Sequence, residues 1–129
     1  VASERLVTVT LAQAWDPAGP DGAAGQVEFD IVLDPQGHPD LQAWLDDPDP
    51  WPARRLVPGA APEPGDVVQD DEGWQLRFFG KDGQDPDAPG HRLLNISAAL
   101  RPGEVLTLRA PDGAETAWRV VRVSRPGGR

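Results

Sequence analysis

The chain has 129 residues, enough for one domain with one core. Val, Leu, Ile, Phe and Trp make up about a quarter of it, above the roughly 20% level at which burial fails to offset ordering entropy, so wholesale disorder is excluded. The 14 Gly and 15 Pro imply many turns and argue against a helical bundle or coiled coil, and no segment approaches the ~18 apolar residues of a membrane-spanning helix.

The formal charge of -9 is unevenly spread: residues 1–90 carry 18 acids against 5 bases, and residues 91–129 carry 7 Arg against 3 acids. Such a chain repels a phosphate backbone, so nucleic acid is not an expected partner. The C-terminal arginines Arg92, Arg101, Arg109, Arg119, Arg122 and Arg125 are expected to pair with the acidic remainder of the domain. Without Cys there is no disulfide and no thiolate chemistry. The segment Val1–Arg5 lacks the basic-then-apolar pattern of a signal peptide, and the cytoplasm is the expected compartment, with no membrane partner.

In chain order, residues 5–13 alternate Val7, Val9 and Leu11 with Thr8 and Thr10, a half-buried strand. Residues 16–25 form a turn-rich loop. A second strand over 26–33 places Val27, Phe29, Ile31 and Leu33 on one face, and the two strands read as an antiparallel pair. Residues 39–47 are the one helical segment: Pro39 and Asp40 suit a first turn, Leu41, Trp44 and Leu45 share an apolar face, and Pro48 ends it. Residues 46–65 hold six prolines and read as a long loop, with Arg54–Val57 a short edge strand within it.

The second half reads as hairpins. Glu63-Pro64-Gly65-Asp66 and Arg101-Pro102-Gly103-Glu104 both carry the Pro-Gly signature of a type II turn, each followed by a strand, a Gly turn and a strand bearing Trp74 or Trp118. The same turn chemistry used twice explains this better than an internal repeat. Gly80–Gly90 is a polar loop, and residues 91–100 read as a strand with Leu94, Ile96, Ala98 and Leu100 on one face. In the last hairpin Leu106, Leu108, Trp118 and Val120 share one face while Val105, Val121 and Val123 crowd the other. Sheets apolar on both faces are covered on both. The expected fold is therefore mostly β: one domain over 1–129, a small antiparallel β-sandwich or partly open β-barrel of seven or eight strands with one short helix.

Motifs for chemistry are sparse. Asp82-Gly83-Gln84-Asp85-Pro86-Asp87 has the outline of a calcium loop but lacks Gly at position 6 and Glu at position 12, and reads as a solvated turn like the clusters at 46–49 and 70–72. His38 and His91 each adjoin a predicted turn, lack zinc-ligand spacing and read as loop histidines facing water. Ser3, Ser97 and Ser124 sit in no nucleophile motif, the Asn95-Ile96-Ser97 sequon reads as incidental, and phosphate loops are absent. No catalytic, metal or cofactor residues are assigned.

Five Trp and no Tyr form the remaining signal. Trp44, Trp74 and Trp118 read as core. Trp15 ends a strand, and Trp51 sits between Pro50 and Pro52, where it would lose little entropy as an anchor for a partner or a sugar ring. The competing reading, favoured by the rarity of exposed large aromatics on monomers, folds Trp51 back to plug one end of the barrel. The candidate contact residues are Trp51, Trp15, Arg54 and Arg55. The leading functional expectation is a non-catalytic protein-interaction or assembly module presenting loops 46–65 and 80–91 to a protein partner. The alternative is a carbohydrate or small-ligand module using exposed Trp, and an enzyme without a recognisable motif ranks third.

Overall fold

In the computed structural model the described residues are 6–13, 25–57, 59, 61–79, 90–94 and 99–125. Eight strands follow one another as β1 (Leu6–Gln13), β2 (Gln26–Val32), β3 (Trp51–Leu56), β4 (Glu63–Asp70), β5 (Gly73–Phe78), β6 (Gly90–Leu94), β7 (Val105–Arg109) and β8 (Glu115–Ser124), with helix α1 (Leu41–Asp46) between β2 and β3. Each strand pairs antiparallel with its sequence neighbour, and β8 pairs with β1, so the sheet is a closed up-and-down barrel. Closure removes the edges that a partly open barrel would leave. With eight strands the interior is just wide enough to be filled by side chains. Val9, Leu11, Phe29, Leu76, Leu106 and Val120 fill it, and none retains more than a trace of solvent contact.

Strand alternation decides most of this packing, and β8 shows how a bulge adjusts it. Leu11 pairs with Val120 but Thr10 pairs with Arg122, so Val121 is the extra residue. The bulge brings both Val120 and Val123 to the inner side, opposite Leu11 and Val9. Val105 and Val121 stay exposed on the outer face, which is not covered as its apolar content suggested. On β1, Thr8 and Thr10 are buried although they alternate with the core residues. Their hydroxyls donate to Asp30 (2.6 Å) and Glu28 (3.2 Å).

The proline-rich segment departs most from the sequence reading. Residues 51–56 form a strand inside the barrel rather than a loop with an edge strand, because β3 is bonded to β2 on one side and β4 on the other. Pro64 and Gly65 lie within β4 rather than in a turn. Gly65 is required by close approach: a Cβ there would stand 1.9 Å from the Arg77 carbonyl oxygen of β5. Arg101–Glu104, by contrast, is a turn, with the Glu104 amide bonded to the Arg101 carbonyl (3.0 Å) and Gly103 at φ 97°. The two Pro-Gly segments therefore adopt different structures, and no repeat relates them. In β6 it is Leu93 that enters the core, while Leu94 faces out. Residues 95–98, including Ser97 and the sequon, lie outside the described residues, as do Trp15 and the acidic segment 82–87.

Asp40 caps α1, its carboxylate accepting from the Ala43 amide (3.0 Å). The helix lies against β2, with Ala43 buried and Trp44 partly buried against the core. Leu41 and Leu45, expected on the buried face, are 41% and 58% exposed. A six-residue helix has room for one packed flank, and here Ala43 and Trp44 provide it.

Candidate functional site

At the α1 end of the barrel three indoles meet. Trp51 and Trp74 are stacked with ring centroids 6.1 Å apart, and Trp44 meets Trp74 edge-on, also at 6.1 Å. An indole N–H is costly to bury unpaired, and two of the three are satisfied locally. Trp44 donates to the Val67 carbonyl (3.2 Å), and Trp51 donates to the Asp47 carboxylate (2.9 Å). Asp47 also accepts from the Asp49 amide (3.0 Å), which fixes the turn between α1 and β3.

Trp44, with Val67, floors an open groove of about 430 Å³ on the outside of the barrel. One wall is Leu45 with Asp47, Pro48, Asp49 and Pro50, and the other is Val68 with Asp66 and Arg77. The second wall is electrically closed, because Arg77 clasps Asp66 through two hydrogen bonds of 2.9 and 2.7 Å. Asp49 on the first wall and Asp46 next to that wall in sequence are exposed, and no cation pairs with Asp46, Asp47 or Asp49 among the described residues.

The candidate contact residues are thus placed apart. Trp51 is 1% exposed and belongs to the core under the groove, so it does not stand between its prolines as an accessible anchor. Burial against Trp74 and the bond to Asp47 outweigh the extended backbone that Pro50 and Pro52 impose. The sugar-platform reading loses its basis at this residue. Arg54 faces outward from β3 and donates to Glu28 (2.8 Å), with Asp30 at 3.7 Å, so it closes the polar lattice over β1 and β2. Three of the six C-terminal arginines also have acidic partners: Arg92 pairs with Asp70, Arg109 with Glu115 and Arg122 with Glu28. The hydrogen bond from Arg92, aided by the Glu72 amide, holds the Asp70 carboxyl below its usual range.

Arg55 lies on the other parity of β3 and points into the opposite end of the barrel. There its guanidinium stands 4.4 Å over the Phe78 ring, 3.5 Å from Glu63 and 3.4 Å from Nε2 of His91. His91 is therefore an inward residue of β6 rather than a loop histidine. Only His38, beside Asp34, fits that description. Because Arg55 can only donate, Nε2 accepts and the ring proton sits on Nδ1, which is buried with no partner among the described residues. Burial first, and then the Arg55 charge, push the His91 pKa below its ordinary 6.5, while Glu63 and Asp112 pull the other way.

A depressed histidine pKa means the unfolded chain binds the proton more readily, so stability falls as pH drops through and below 6.5. The melting temperature of the wild type is expected to fall more than that of His91→Gln between pH 7.5 and 5.5. Equal slopes would show that His91 is not held neutral. Asp70 acts lower on the scale: its stabilising contribution is present above 3.8 and is lost as pH falls through its depressed folded value.

Among the described residues no three His, Cys, Asp or Glu are grouped to hold a metal ion, and no helix is long and apolar enough to cross a membrane. No protein-family model, curated protein or solved structure matches the chain.

Proposed function

We propose that the protein is a non-catalytic interaction module, a component of a larger assembly, that docks a protein partner in the groove beside α1. The observation that carries this reading is the pair of exposed leucines, Leu41 and Leu45, on a short helix whose neighbouring groove is already walled and floored. Leucines one helical turn apart at this exposure cost the free protein solvation without supporting its core, and clustered exposed apolar residues next to a groove mark contact sites. The groove uses Trp44, Leu45 and residues 47–50, the beginning of the proline-rich segment, and its wall is stiffened by Pro48 and Pro50, so little ordering is lost on binding. The second loop of the sequence reading, 80–91, contributes nothing to this proposal, because residues 80–89 lie outside the described residues and His91 faces the barrel interior.

A photo-crosslinking residue at position 45, set against the same residue at position 121 on the outer face of β8, tests the docking surface in extracts of the native cell. An adduct is expected from position 45 only. With that partner purified, Leu45→Asp should weaken binding by about tenfold or more, equivalent to ~1.4 kcal/mol, while the melting temperature stays within about two degrees because Leu45 is not a core residue. Undiminished binding by Leu45→Asp contradicts the proposal.

A further inference from the structure

We infer that the segment docked beside α1 is cationic and amphipathic, an extended or helical stretch in which Arg or Lys alternates with apolar side chains. This rests on the docking reading above and assigns the chemistry of the occupant. Residues 39–53 contain four acids and no base. Across the groove Arg77 already neutralises Asp66, so the charge that a partner meets is that of Asp47 and Asp49 on the wall and of the exposed Asp46 at the end of α1. The Asp47 carboxylate is occupied by N–H donors from Trp51 and Asp49, which orient it but leave its negative charge uncompensated.

An acidic segment would have to set like charges together as it displaced water from Leu45, a juxtaposition that costs several kcal/mol at an interface. Nucleic acid and an anionic membrane surface meet the same repulsion. A neutral apolar segment would cover Leu41 and Leu45 but strip water from the three carboxylates without replacing it. A cationic amphipathic segment satisfies both requirements: apolar side chains lie on Leu45 and Val68, and flanking ammonium or guanidinium groups reach the aspartates at the rim.

Chemical-shift mapping on the ¹⁵N-labelled full chain tests this with three short synthetic peptides: alternating Arg and Leu, the same with Glu for Arg, and the same with Ser for Leu. The Arg–Leu peptide is expected to move the amides of residues 41–50 and 66–68, more weakly as salt rises, and the other two to leave them in place. Asp46→Asn with Asp49→Asn should weaken that binding about tenfold, whereas Asp71→Asn with Glu72→Gln in the β4–β5 turn should leave it unchanged. Equal binding of the Glu–Leu peptide at 41–50 would overturn the charge assignment and leave the docking groove standing. Shifts spread over the whole surface, or none at 41–50, would overturn both. Shifts at 41–50 that grow with the concentration of the chain alone would make a second copy the occupant and overturn the inference.

Discussion

Trp51→Ala is expected to destabilise the fold by about 3–5 kcal/mol, the range for emptying an aromatic from a packed core. The residue is almost solvent-free, lies on Trp74 with an interplanar angle of 7°, and gives its N–H to Asp47. Its removal opens a void beneath the groove and leaves the Asp47 carboxylate one donor short. For a domain of this size the loss corresponds to a fall in melting temperature of roughly 10–20 °C. Leu45→Asp, only a few residues away, should change it by about two degrees or less. Calorimetry on the two variants makes the comparison. A Trp51→Ala protein as stable as the wild type would place Trp51 outside the core.

Ending the chain at Leu100 is expected to abolish folding. The deletion removes β7 and β8, and with them Leu106, Leu108 and Val120, each worth about 1.5–3 kcal/mol by burial. It also strips β1 and β6 of a partner, because β8 pairs with β1 over Thr8–Gln13 and β7 pairs with β6 over Arg92–Leu94. Whole-domain stabilities run about 5–15 kcal/mol, so the loss leaves nothing to hold the remaining six strands. Circular dichroism and proton shift dispersion should both report an unfolded chain. A dispersed spectrum from the truncated protein would show that closure of the barrel is not essential to it.

How far the sequence discloses this structure depends on where alternation survives. In β1, β2, β5 and β7 the apolar positions repeat every second residue, and the inner face reads directly as Val9 and Leu11, Phe29 and Ile31, Trp74 and Leu76, and Leu106 and Leu108. In β8 the same pattern misleads at Val123, because one inserted residue, Val121, changes the parity. In β3 and β4 prolines hide the first half of each strand. Pro52 and Pro64 read as breakers, and Pro64-Gly65 has turn chemistry, yet the β5 backbone comes so close at Gly65 that this residue is needed inside the strand. Such an approach is tertiary and leaves no local signal.

The candidate site is legible in the same uneven way. Its place, at the start of the proline-rich segment, follows from composition. Its residues follow only in part: sequence weighs an anchor reading of Trp51 against a core reading and the structure buries it, whereas Leu41 and Leu45, which read as core, are exposed. Which flank of a six-residue helix is packed depends on where the chain enters and leaves β2 and β3. Likewise Arg54 and Arg55 look equivalent in sequence, and the barrel register alone sends one to the outer lattice and the other inward to Phe78 and His91.

Hydrogen–deuterium exchange of the chain, alone and bound to the partner that crosslinks at position 45, tests the proposed function most directly. Binding in the groove should slow exchange at residues 41–50 and 66–68 and leave residues 57, 59, 61 and 110–114 at the opposite end of the barrel unchanged. Protection at 57, 59, 61 and 110–114, with 41–50 exchanging as in the free protein, would contradict it and place the binding function at the Arg55–His91 end.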